Sequence, residues 1–126
     1  MGTRSLTFVY DDNRKVLCMY RQFDGYPSGH GRELAEFLAG FDAIVNGISL
    51  GETRKIANGM GCLAAQLVAN FKVDAGGFYL YPTSTKDAGQ EYEYHIYTDK
   101  IVVKDPTDKI FEGSWQDFTE FCVDLV

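Results

Sequence analysis

The densest run of chemically capable side chains is YRQFDGYPSGHG, residues 20–31, which brings Arg21, Asp24, Tyr26 and His30 close together in the chain. Arginine's planar fork suits phosphate recognition, tyrosine offers a face for stacking, and the unpaired N–H groups of a helix start attract anions. These residues read as the rim of an anion pocket, with Arg21 as the clamp and Tyr26 as the stacking surface. The same stretch also reads as a strand-to-helix connection, in which Asp24 and Ser28 bond their own backbone and Pro27 stiffens the turn. Asp24 with His30 could act as acid and base on a phosphodiester, a pairing that rests on sequence proximity alone.

A second cluster is Asn58-Gly59-Met60-Gly61. Its glycines allow a ligand to approach the backbone, as in a phosphate nest, or allow a helix to pack closely on a sheet. The motif lacks the strand-first context of a dinucleotide fold and is not a P-loop. Arg54 precedes it and is a second candidate for phosphate. Tyr79 and Tyr81 share one strand face, as do Tyr92 and Tyr94; such faces pack in sheets and also stack nucleobases. Catalytic constellations are poor. His30 and His95 are the only histidines, metal-ligand spacing is absent, and no Cys or Ser sits in a nucleophile turn. No catalytic residue, metal or cofactor is expected.

The elements that must position these residues follow from periodicity. TRSLTFVY and KVLCMYRQF alternate as strands around the turn Asp11-Asp12-Asn13, which predicts an antiparallel hairpin. Leu34, Phe37, Leu38, Phe41, Ile44 and Val45 recur at helical spacing, with Gly40 as a break or bend, and a loop from Gly47 to Arg54 follows. Met60, Leu63, Ala64, Leu67, Val68 and Phe71 form a second helical stripe. GGFYLYP, EYEYHIYTD, KIVVKD and KIFEG are strand-like runs that predict an antiparallel meander. Ser114 begins a capping box for a terminal helix carrying Trp115, Phe118, Phe121, Cys122 and Leu125. The expected fold is a single α+β domain over residues 1–126: N-terminal β-hairpin, two helices, antiparallel meander, C-terminal helix.

Composition narrows the classes. The chain has 126 residues, 45% hydrophobic and 24% charged, which suits one compact globular domain. No apolar run is long enough to cross a bilayer and no signal-peptide layout is present, so a cytoplasmic protein is expected. Three dispersed cysteines, Cys18, Cys62 and Cys122, suit reduced core positions rather than a disulfide framework. A net charge of −6 argues against coating an extended nucleic acid. The charge is uneven: residues 1–72 carry eight Lys and Arg, all five arginines among them, against seven acids, whereas residues 73–126 carry four lysines against eleven acids. The N-terminal half can therefore still receive a small anion, and the aromatic-rich, apolar surface predicts a homodimer or higher homo-oligomer.

GTRSL at residues 2–6, YRQFDGYPSGHG at 20–31, NGMGCLAAQLVANFK at 58–72 and GGFYLYP at 76–82 together resemble a family of small proteins encoded by bacteriophages and prophages. Within it the chain is similar to the Thoeris anti-defence sponges, which bind cyclic ADP-ribose isomers made by a host immune TIR enzyme and do not cleave them. The resemblance implies sequestration of a small anionic cyclic nucleotide, extended in some members to binding of cyclic trinucleotides and to assembly as dimers and hexamers. It would place the protein in the host cell cytoplasm. Two other classes stay open: a phage-encoded inhibitor of a host protein using the aromatic surface, and a small phosphodiesterase using Asp24 and His30. Residue by residue, the expected ligand contacts are Arg21, Asp24, Tyr26, His30, Arg54, Asn58, Gly59, Gly61, Tyr79 and Tyr81.

Overall fold

The computed structural model describes residues 2–123. Strands β1 (Ser5–Asp11) and β2 (Arg14–Arg21) form the expected antiparallel hairpin, turned at Asp12-Asn13 with Asp12 at φ 56°. Aspartate tolerates that left-handed conformation because its short polar side chain bonds locally. Alternation sends Val9, Leu17 and Met19 to one face and Leu6, Phe8, Tyr10, Cys18 and Tyr20 to the other. Although the alternation of β1 suits a strand with one wet face, residues Ser5 to Tyr10 are all buried, because clusters pack on both faces of the sheet.

After β2 the glycine-rich loop closes as a single π-helical turn, Pro27–Gly31, which runs straight into helix α1 (Arg32–Ala39). The apolar stripe that suggested a longer helix is divided: Gly40 ends α1, and Ala43–Val45 becomes strand β3, paired in parallel with β4 (Ile56–Asn58). Ile44 and Val45 are β-branched and favour that outcome. Two bonds between Asp42 and Lys55, backbone to backbone at 2.7 Å and carboxylate to N–H at 2.9 Å, anchor the pair. Helix α2 (Gly59–Phe71) follows, with Met60, Leu63, Ala64, Leu67 and Phe71 buried along the expected stripe.

The remaining strands are β5 (Phe78–Leu80), β6 (Tyr92–Ile96), β7 (Ile101–Lys104) and β8 (Lys109–Gly113), and helix α3 (Trp115–Val123) ends the described chain. Ser114 Oγ accepts the Asp117 N–H at 3.1 Å, which is half of the expected capping box, and Asp117 makes no return bond to the Ser114 N–H among the described residues; Leu125 lies outside the described residues. The six-stranded sheet has the order β5-β2-β1-β6-β7-β8 and is mixed. Strands β6 to β8 form the expected meander, but β5 leaves it to pair antiparallel with β2, while β6 pairs parallel with β1. The connection from β5 to β6, residues 81–91, is too long for a hairpin turn. It returns to the far side of β1, where Ala88 packs on the Leu6, Phe8 and Tyr10 cluster and the Glu91 N–H bonds Arg4 O at 2.9 Å.

All three helices contribute to one core against Val9, Met19, Tyr94, Ile96, Ile101 and Val103 on a single face of the sheet. At its centre Tyr94, fully buried, donates from its hydroxyl to Gly25 O at 2.7 Å and so pins the glycine-rich loop to the sheet. Substituting Tyr94→Phe leaves that carbonyl without its partner, and urea unfolding is expected to give a loss of about 1–3 kcal/mol. An unchanged midpoint would show that the loop is held by other contacts.

Candidate functional site

Arg21 is the last residue of β2, on the helix-covered face, and β5, α1 and α2 converge around it. They bound a cavity of about 490 Å³, lined by Arg21, Glu33, Glu36, Phe37, Lys55, Asn70, Phe71, Val73 and Phe78. That volume lies in the range of small-molecule sites. Its aromatic wall is continuous: Phe71 lies 6.4 Å from Phe37 and 5.5 Å from Phe78, measured between ring centroids.

The Arg21 guanidinium is held from several sides. Nε donates to Phe23 O at 2.6 Å, Nη1 donates to His30 Nδ1 at 3.1 Å and to the Glu33 carboxylate, and the group lies over the Phe78 ring at 4.9 Å. Its Nη2 makes no hydrogen bond among the described residues. Arginine can only donate, so His30 Nδ1 must be an acceptor, and the ring proton resides on Nε2, which donates to Thr7 Oγ1 at 2.7 Å. His30 is wholly buried, between Phe71 at 5.2 Å and Tyr94 at 5.0 Å. Burial, reinforced by the neighbouring Arg21 charge, pushes its pKa down to about 3.

The other expected contacts fall into separate places. Asp24 takes a left-handed conformation, φ 62°, that lets its carbonyl accept the His30 N–H at 2.7 Å, while its carboxylate accepts from the Tyr26 hydroxyl at 3.1 Å. The Asp24 carboxylate and the His30 ring therefore have different partners, and the ring is sealed from solvent. Gly29 is explained by close approach: a Cβ there would lie 2.6 Å from Asp24 O. Tyr26, at 38% exposed, stands outside the cavity lining.

Arg54 sits in the loop between β3 and β4 and pairs with Glu52 at 2.6 Å; it does not line the Arg21 cavity. Asn58 Oδ1 accepts the Gly47 N–H at 2.7 Å and ties that same loop. Gly59 has φ +82° and needs to be glycine for that reason, and Gly61 is exposed with open space around it. Tyr79 and Tyr81 belong to the opposite face of the sheet, beside Tyr20 at 6.0 and 5.1 Å. Tyr94, by contrast, is core. Lys55, Asn70 and the three phenylalanines of the cavity carry no ligand-site signal in the sequence. Helical periodicity marked Phe37 and Phe71 as core, and only the β2–β5 pairing brings Phe78 to Arg21.

On the far face of the sheet His95 Nδ1 shares a hydrogen bond with the Tyr10 hydroxyl at 2.7 Å and Nε2 donates to Glu93 at 2.8 Å, so both histidine rings are engaged on each edge. Burial raises the Cys18 and Cys122 thiols to about 11 and about 12, which keeps them inert near neutral pH. Among the described residues no group of three His, Cys, Asp or Glu side chains could hold a metal ion, and no helix is long and apolar enough to cross a membrane. Compared with known proteins, the chain matches no family model, no curated protein and no solved structure.

The buried imidazole gives a pH signature. Its folded pKa lies below the value of about 6.5 it has when unfolded, so the unfolded chain takes up the proton first. The stabilisation is complete above about pH 6.5 and is lost as pH falls toward 3, with a limiting slope of about 1.4 kcal/mol per pH unit. Denaturant unfolding is expected to show a loss of stability from pH 7 to pH 5, steepening toward that limit only near pH 5, and a smaller loss in His30→Gln. Equal slopes in the two proteins would mean that His30 is not the buried neutral group.

Proposed function

We propose that the chain binds and sequesters small cyclic nucleotide signals, cyclic ADP-ribose isomers and cyclic trinucleotides, without cleaving them. The observation that carries this reading is a phenylalanine-walled cavity of about 490 Å³ whose fixed arginine has one amino group without a hydrogen bond among the described residues. Phosphate on Arg21, with Lys55 as a second cation, and a base or ribose against Phe37, Phe71 and Phe78 is the arrangement such a cavity accommodates. Release of the ligand unchanged is favoured because both histidines have their ring nitrogens committed within the protein. The same commitment weakens the phosphodiesterase alternative, since a general base needs a free nitrogen near the ligand.

Sequestration calls for enclosure. Nanomolar affinity corresponds to about −12 kcal/mol, near the ceiling for a ligand of this size, and an open-rimmed cavity in one chain leaves part of such a ligand in water. We infer that a second copy closes the site, with the protein working as a homo-oligomer in the cytoplasm. Supporting this, Val73 at the cavity rim is 83% exposed, and Leu80 and Ile48 are 60% and 66% exposed. Those side chains would also serve an inhibitor that docks on a host protein.

Incubation with a cyclic ADP-ribose isomer, followed by heat denaturation, separates the readings. Intact ligand recovered from the protein is the expected result; altered ligand would mean an enzyme, and no depletion would leave the protein inhibitor ahead. In calorimetry Arg21→Ala is expected to weaken binding about tenfold or more, and Arg14→Ala, at the exposed start of β2, to leave it nearly unchanged. A larger effect at Arg14 than at Arg21 would remove the assignment.

A further inference from the structure

In the free chain Arg21 is already paired. The Glu33 carboxylate, in the first turn of α1, sits on Nη1 beside His30. The two partners differ in freedom: the Arg21 side chain is 12% exposed and also fixed by Phe23 O and Phe78, whereas the Glu33 side chain is 51% exposed and its carboxylate makes no other hydrogen bond among the described residues. Losing Glu33 therefore leaves the guanidinium in place, while losing Arg21 frees Glu33 to solvent.

We propose that Glu33 is a built-in competitor for Arg21, a carboxylate that occupies the clamp until a polyanion displaces it, so that the site admits phosphoric anhydrides and excludes single carboxylates. This rests on the reading of Arg21 as the anion clamp. A monocarboxylate replacing Glu33 exchanges one carboxylate contact for another and bears the entropic cost of association, against a tethered rival at high effective concentration. It gains nothing. A diphosphate brings several oxygens and more than one charge, so it can take Nη1 and the unpaired Nη2 together and leave charge for Lys55, which lines the same cavity. The cavity wall of Arg21 and Lys55 against Glu33 and Glu36 is balanced in charge, and displacing Glu33 is what makes its floor positive.

Inorganic pyrophosphate and acetate are the probes, titrated by calorimetry into the full chain. The expected result is that pyrophosphate binds, acetate does not compete, Glu33→Gln tightens pyrophosphate about fivefold and lets acetate compete, and Arg21→Ala abolishes binding. Glu36→Gln removes the same charge from the cavity wall without touching Arg21 and is expected to give less than half that change in binding free energy. Equal gains from Glu33→Gln and Glu36→Gln, or weaker binding in Glu33→Gln, would overturn the competitor role while leaving the Arg21 site standing. Pyrophosphate binding that ignores Arg21→Ala, or is absent from every variant, would overturn the clamp reading itself.

Discussion

A neutral imidazole sealed beneath the sheet is the constraint on which the site depends. His30 has no contact with water, so it cannot carry charge at modest cost, and its lone pair must be used. Arg21 supplies the donor on one side and Thr7 takes the ring proton on the other. A hairpin strand, a loop and a strand end are thereby locked to one another through a single side chain. Removing any partner strands a buried polar group, which is why the arginine of β2 has one orientation rather than many.

Local backbone choices serve the same arrangement. Asp24 adopts a left-handed conformation so that its carbonyl reaches the His30 N–H, and Tyr94 holds the Gly25 carbonyl from below. Between them these bonds turn a glycine-rich segment into a fixed support. The opposite face of the sheet is different in kind. Stacked pairs, Phe8 on His95 at 4.9 Å and Tyr10 on Tyr97 at 4.2 Å, fill it, and the connection after β5 covers part of it. Arginine chemistry and tyrosine surface thus lie on two sides of one sheet.

Much of the fold is legible in the sequence because periodicity reports which residues face a core. The hairpin, the α2 stripe, the β6–β8 meander and the Ser114 cap all announce themselves through alternation, helical spacing or turn chemistry. Long-range pairing does not. Nothing in GGFYLYP says that it adds to β2 rather than to β6, and the stripe through Phe41 to Val45 keeps helical spacing although Gly40 has already ended the helix. The site divides in the same way. Arg21 is legible as a cation beside a shaped loop, and His30 is legible as chemistry, but its role as a buried support depends on its depth, which one sequence does not encode. Arg54 and Asn58 look like ligand contacts because of their neighbours; in space their side chains satisfy Glu52 and the β3–β4 loop.

The most direct test of the central claim is the protonation state of His30 with the clamp empty and filled. Long-range proton–nitrogen NMR of the imidazole at pH 5, with and without pyrophosphate, reads both ring nitrogens. The expected result is a neutral ring, protonated on Nε2 with Nδ1 as acceptor, that stays so on addition of the anion while the Arg21 and Lys55 side-chain signals shift. A His30 ring protonated on both nitrogens at pH 5, or one that titrates freely with solvent, would contradict it.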